Sequence, residues 1–302
     1  MRALVTGARG FVGAWLVAHL ADEGDDVVPI DREIDISDGK RLAAAIVEAR
    51  PDAVYHLAAF SHVGGSWDDP AEVFRTNALG TLNVLEAARS CAKVPRVLLV
   101  SSAEVYGRVA SDQLPLTEEA PVRPVTPYAA SKASAELLGL QAFLGYGVPV
   151  VRVRPFNHVG PGQSERFAVT ALARRIVEAA RKGERAIPVG DLSTRRDFTD
   201  VRDVVVAYRL LTLHGQPGEV YNVCSGHAVA IEEIATRLAE MAGAEVAFEP
   251  HASLLRPVDV PALEGSPAKI EAATGWKPAI SLDDTLRAVV DEALAGHGAP
   301  AG

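Results

Sequence analysis

Five short runs in the first half of the chain are hydrophobic at nearly every position: ALVT (3–6), DVVPI (26–30), AVYHLA (53–58), RVLLVSS (96–102) and VPVVRVRP (148–155). A strand with one wet face alternates apolar and polar residues, whereas a strand covered on both faces does not. The pattern therefore predicts parallel strands buried between layers of helix. The stretches between them carry apolar residues at helical spacing: FVGAWLVAHLADEG (11–24), GKRLAAAIVEARP (39–51), EVFRTNALGTLNVLEAARS (72–90) and PYAASKASAELLGLQAFLGYG (127–147). Strand and helix alternate, which predicts an α/β chain with a doubly wound parallel sheet. After Pro155 the pattern loosens. Gly and Pro cluster at 160–162, a helix is expected over about 166–182, and AIPVG, EVYNVCSG and EVAFEP read as short strands among further helices.

Composition narrows the partners more than the fold. A net charge of −9 disfavours nucleic acid, whose phosphates need a basic surface, but leaves room for an anionic metabolite held by a few local arginines. The two cysteines, Cys91 and Cys224, are expected to be free thiols in a reducing compartment. No stretch approaches the ~20 apolar residues of a membrane span. The start MRALVTG enters a strand at once, without the basic and apolar regions of a signal peptide, so the cytoplasm is the expected location.

The segment VTGARGFVG (5–13) closes the first strand and opens the first helix, with Gly7, Gly10 and Gly13 at G-x-x-G-x-x-G spacing. Glycine allows the tight turn and lets backbone N–H groups approach a pyrophosphate at the positive end of a helix. This is the phosphate loop of a Rossmann sheet, and Arg9, Phe11 and Val12 are expected on its cofactor side. The second strand leads to Asp31, 24 residues after Gly7, where an acidic residue hydrogen-bonds an adenosine ribose and favours NAD(H). Arg9 and Arg32 are near enough in sequence to pair with a 2′-phosphate, which keeps NADP(H) open. Asp35 and Ile36 are placed to touch adenine. The expected division is a dinucleotide-binding domain from 1–155 and 191–225, and a smaller α/β substrate-binding domain from 156–190 and 226–302.

Thr126 can cap and Pro127 can start a helix that carries Tyr128 and Lys132 in its first two turns. At i and i+4 they share one face, with Cβ atoms roughly 6 Å apart. A nearby ammonium is expected to draw the phenol pKa down from ~10, so that Tyr128 exchanges a proton with a carbinol oxygen. Ser102, at the end of the fourth strand, is placed to hydrogen-bond the same oxygen. Tyr128 and Lys132 also border the cofactor.

The glycine loop, HLAA (56–59), Asn77, Ser102, Tyr128 and Lys132 together resemble the extended short-chain dehydrogenase/reductases that act on nucleotide sugars, over essentially the whole chain. The resemblance implies that Leu57, Ala58 and Ala59 line the cofactor channel, with Pro155 a further cofactor-side residue. It also implies that Asn77 buttresses the active-site helices and that the protein is a homodimer built on a four-helix bundle.

In the substrate half, RPFNHVGPGQ (154–163) places Asn157 and His158 at the sheet's carboxyl edge, where open α/β sheets bind ligands. Arg195, Arg196 and Arg256 come from separate segments, an arrangement suited to a diphosphate. By resemblance Arg196 and Arg256 are sugar-nucleotide diphosphate ligands, and Ser61 and Glu104 are expected near the sugar. RPFNHVGPGQ, RRDFTDVRDV, VYNVCSG and GSPAKIEAATGWKP resemble the GDP-4-keto-6-deoxy-D-mannose reductases, which implies a GDP-sugar substrate and GDP-D-rhamnose as product. The rivals are a GDP-mannose 4,6-dehydratase, for which Glu104 would be the base, then a nucleotide-sugar 4-epimerase. In a different class stands a cofactor-sensing regulatory protein, against which the Ser102, Tyr128 and Lys132 set counts. No metal is expected.

Overall fold

The computed structural model describes residues 1–254 and 260–296. The five apolar runs become strands β1 (Arg2–Thr6), β2 (Asp26–Ile30), β3 (Ala53–His56), β4 (Arg96–Val100) and β5 (Val150–Pro155). Among them lie helices α1 (Phe11–Asp22), α2 (Gly39–Ala49), α3 (Pro70–Phe74), α4 (Gly80–Arg89) and α5 (Pro127–Tyr146). The rest of the chain forms β6 (Asn157–Val159), α6 (Ala168–Lys182), β7 (Ala186–Val189), β8 (Arg195–Asp200), α7 (Val201–His214) and β9 (Val220–Val223). It continues through β10 (Ala228–Ala230), α8 (Ile231–Ala242), β11 (Ala247–Pro250), β12 (Ala262–Leu263), α9 (Ala268–Thr274) and α10 (Leu282–Ala295).

Six strands make one parallel sheet in the order β2-β1-β3-β4-β5-β9. Val5, Leu16, Leu98, Val205 and Tyr208 pack on one face, with α1 and α7. Leu4, Leu42, Val84, Val97 and Val150 pack on the other, with α2 and α4. Burial on both faces is why these strands do not alternate. Connectivity reverses between β1 and β3, and the carboxyl ends at such a switch point frame the ligand crevice. A second layer is built on β10-β8-β12, with β6 paired to β8, and on the parallel pair β11-β7. Its core joins Val169 and Ile176 of α6 to Ile234 and Leu238 of α8 and Val289 of α10.

The structure departs from the sequence reading in three places. The single helix expected over 72–90 is α3 and α4 joined through a wider π-type turn at Arg75–Leu79, centred on Asn77. β3 stops at His56 rather than at 58, because the Ala58 amide turns to the Thr6 hydroxyl, 3.2 Å away. The segment 191–225 divides between layers: β8 joins the second sheet, while α7 and β9 belong to the first. Cys91 and Cys224 are buried free thiols. No helix among the described residues is long and apolar enough to cross a membrane.

Candidate active site

The glycine loop is a cradle that only these residues fit. Gly7 has φ of 72°, and a Cβ there would lie 2.8 Å from the Ala58 amide nitrogen, so the loop after β1 presses directly on the segment after β3. A Cβ at Gly13 would run into the Gly7 carbonyl oxygen. Gly10 caps α1 without a side chain, so the first N–H groups of the helix keep their partial positive charge for a ligand. These features fit a dinucleotide pyrophosphate. Leu57, Ala58 and Ala59 are partly exposed opposite the loop, and Pro155 is buried at the end of β5.

Asp31 is committed to its own loop. Its carboxylate accepts from the Arg9 amide at 2.7 Å and the Arg32 amide at 2.9 Å. Both arginine side chains are exposed at this edge, Arg9 3.4 Å from Glu33. The edge therefore offers a carboxylate to a ribose and two guanidinium groups to a 2′-phosphate. Ile36 is buried nearby in sequence, and Asp35 is exposed.

Thr126 caps α5 as expected, its hydroxyl accepting from the Ala129 amide at 3.0 Å. The cap and Pro127 start the helix so that Tyr128 and Lys132 both turn inward and are buried. Lys132 Nζ donates to the Val100 carbonyl at 2.8 Å, and burial pulls its pKa down to about 8. Tyr128 differs from expectation. Burial pushes its pKa up to about 12, the Glu104 carboxylate adds to the rise, and a hydrogen bond with the Ser102 hydroxyl only partly offsets it. The expected downward pull from Lys132 is absent, its ammonium being turned to the Val100 carbonyl, and desolvation, a tertiary effect, penalises the phenolate. Tyr128 is thus a phenol held in its protonated form, beside Ser102. Ser102 begins the short turn Ala103–Tyr106, its Oγ accepting from the Glu104 amide at 3.2 Å.

Asn77 ties the two halves of this arrangement together. Its Nδ2 donates to Ser131 Oγ at 2.8 Å and to the Phe60 carbonyl at 3.1 Å, while its Oδ1 accepts from the Phe60 amide at 2.7 Å. Beneath it His56 bridges Thr6 and Thr81, with both ring nitrogens 2.9 Å from a hydroxyl, and burial holds its pKa down at about 3.

The substrate-side residues are less completely assembled. Asn157 is half-buried on β6 and makes no side-chain hydrogen bond among the described residues. His158 donates from Nδ1 to the Phe156 carbonyl at 3.1 Å and stacks on Phe11, with centroids 6.1 Å apart and planes at 12°. That contact joins the glycine loop to the second layer and was not foreseen from the sequence. Arg196 is buried on β8, donating to the Arg195 carbonyl at 2.9 Å, and Arg195 reaches the Ala228 carbonyl at 2.6 Å. Ser61 is exposed after β3. Arg256 lies outside the described residues. No cluster of three or more His, Cys, Asp or Glu able to hold a metal ion occurs among the described residues.

A phosphate loop after β1 and, after β4, a buried tyrosine with lysine and serine beside it make the constellation of a nicotinamide-dependent carbonyl or carbinol chemistry. Residues 32–289 match the family model described as GDP-mannose 4,6 dehydratase. The chain belongs to the extended short-chain dehydrogenase/reductase family. Within that family it is 40% identical to the GDP-6-deoxy-D-mannose reductase of Pseudomonas aeruginosa over 295 residues, 96% of each chain. It is 26% identical to the GDP-mannose 4,6-dehydratase of Yersinia enterocolitica over 347 residues, 96% of this chain and 92% of the relative. The structure of RMD from Pseudomonas aeruginosa complexed with NADPH superposes on this family member with a TM-score of 0.90 at 38% identity, covering 98% of this chain and all of that one.

Proposed function

We propose that the protein reduces the 4-keto group of GDP-4-keto-6-deoxy-D-mannose to give GDP-D-rhamnose, using NADH or NADPH. The carrying observation is the 40% match to a reductase along 96% of both chains, against 26% for a dehydratase. Tyr128, buried beside Ser102, offers the proton donor that carbonyl reduction needs. When bound, the nicotinamide supplies the hydride for the carbonyl carbon. Tyr128 gives its phenolic proton to the carbonyl oxygen, Ser102 hydrogen-bonds that oxygen, and Lys132 steadies the tyrosinate left behind. Asn157, Arg196 and Arg256 are assigned to the diphosphate, with Ser61 and Glu104 near the sugar.

The dehydratase reading rests on Glu104, on the resemblance of SHVGGSW (61–67) to dehydratases and on the matching family model. By resemblance the dTDP-glucose dehydratases carry an Asp-Glu pair where this chain has Ala103 and Glu104, and reductases can also carry an acidic residue here. The test is to offer the protein the 4-keto sugar with reduced nicotinamide and, separately, GDP-mannose with oxidised nicotinamide. One reduced cofactor consumed per keto sugar is the expected result, and conversion of GDP-mannose to a 4-keto product would overturn it.

We assign the protein to the cytoplasm and read it as a homodimer paired through α4 and α5. Leu79, Leu137, Leu144 and Tyr146 are large exposed apolar residues on and beside these helices. Sedimentation at a dimer's mass is expected, and a monomer at micromolar concentration would sink the pairing.

A further inference from the structure

The catalytic helix is poorly keyed by its own hydrophobicity. The buried side of α5 is made largely of small residues, including Ala129, Ala133, Ala135, Gly139 and Ala142, while Leu137, Leu144 and Tyr146 are exposed. A helix that is apolar all round gains little from one rotation over another, and small side chains interlock weakly. Gly139 brings it close to the sheet, where a Cβ would lie 3.1 Å from Leu99 Cδ1. What sets its rotation and axial position must therefore be polar.

One turn beyond Lys132 on the same face, Glu136 is buried and receives a two-pronged bond from Arg154 of β5: Nε to Oε2 at 3.0 Å and Nη2 to Oε1 at 2.6 Å. The third nitrogen of that guanidinium, Nη1, donates to the Tyr106 hydroxyl at 2.9 Å and to the Glu118 carbonyl at 3.1 Å. Tyr106 ends the turn that Ser102 begins, its ring lies 4.8 Å beneath the same guanidinium, and its hydroxyl donates to Asn222 Oδ1 at 2.7 Å. One planar cation thus grips the helix that carries Tyr128 and the turn that carries Ser102.

We propose that Arg154 and Glu136 are positioning residues that set the register of Tyr128 against Ser102. Buried ion pairs are weak sources of net stability, and fixing register is their best-attested use. The proposal rests on the reading that Tyr128 and Ser102 share one substrate oxygen, where a misplacement of about 1 Å costs roughly 100-fold in rate.

The test is Arg154→Lys, which keeps the buried charge opposite Glu136 and removes the planar fork. The expected variant melts within a few degrees of wild type, and its dissociation constant for NADPH and its KM for the keto sugar stay within about threefold. Its kcat falls by roughly 10–100-fold. A merely structural role would lower the melting temperature and leave kcat alone, and a kcat within twofold of wild type overturns the proposal. Should Arg154→Lys not fold, Tyr106→Phe removes only the bridging hydroxyl and is expected to lower kcat several-fold at constant KM; an unchanged kcat there is equally fatal. A crystal structure of whichever variant folds supplies a readout free of turnover. Displacement of Tyr128 relative to Ser102 is expected, and superposable positions refute the assignment. If the wild type does not reduce the keto sugar, the proposed function fails while this structural comparison still decides the register.

Discussion

Lys132 and Asn157 stand at the carboxyl end of the same sheet, yet they are held in opposite ways. Lys132 is buried with its ammonium on the Val100 carbonyl, Tyr128 is buried beside Ser102, and Asn77 locks the intervening segments through three hydrogen bonds. Asn157 is half-exposed with its amide uncommitted among the described residues, and Ser61 is open to solvent. The first region is arranged before any ligand arrives, as proton transfer requires. On the proposed function, the ligand completes the second. Losses in the first region should therefore appear in kcat, and losses in the second in KM.

The strongest way to break that contrast is Tyr128→Phe. It removes the proton donor and leaves the packing, so kcat should fall by ~10²–10⁴-fold with the fold intact, as measured by steady-state kinetics and circular dichroism. A variant retaining a third of wild-type activity would remove Tyr128 from the mechanism. Next in size is Arg196→Ala, and Arg256→Ala beside it. Each should raise KM for the sugar nucleotide by roughly 10–100-fold, the weight of a charge-assisted hydrogen bond, while kcat changes little. If KM is unchanged in both, the diphosphate is held elsewhere.

A smaller effect sharpens the picture at the cofactor edge. Asp31→Asn keeps an acceptor for the loop amides and removes the charge that would repel a 2′-phosphate. Because both cofactors share any loosening of the loop, the readout is the ratio of kcat/KM for NADPH to that for NADH. It should rise by roughly fivefold, about 1 kcal/mol. An unmoved ratio would mean that Arg9 and Arg32 already govern the pocket.

The legible parts of the molecule were those whose signals are local. The five core strands, the strand-to-helix position of Gly7, Gly10 and Gly13, and the Thr126-Pro127-Tyr128 helix start all depend on neighbours within a few residues. β8 escaped because RRDFTD lacks the apolar run that marks the core strands. Its acids are nonetheless paid back in place, Asp197 by the Ser225 and Gly226 amides and Asp200 by Arg202 and Thr285. The direction of the Tyr128 pKa could not be read either, since it follows from burial rather than from the spacing to Lys132. Glu136 did leave a trace, standing at i+4 from Lys132, but its partner Arg154 lies 18 residues away on another element, and only the fold joins them.

The finest test concerns Glu104, the one group that a dehydratase would use as a base. In a reductase no carbon acid is deprotonated, so the carboxylate acts only through its neighbour. It helps to hold the Tyr128 phenol in its protonated form, and burial, the larger cause, remains when it is gone. Glu104→Gln keeps the shape and removes the charge. The phenol should stay protonated at neutral pH, and reduction of the keto sugar should persist within roughly threefold, well under the ~1.4 kcal/mol of a tenfold change. A dehydratase would lose its activity in the same variant, because proton abstraction from carbon has no substitute at that position. Assaying wild type and Glu104→Gln side by side on the keto sugar and on GDP-mannose therefore separates the two chemistries. A wild type that dehydrates GDP-mannose, with a variant that does not, would move Glu104 from bystander to base and overturn the assignment of the first region as a pure proton donor.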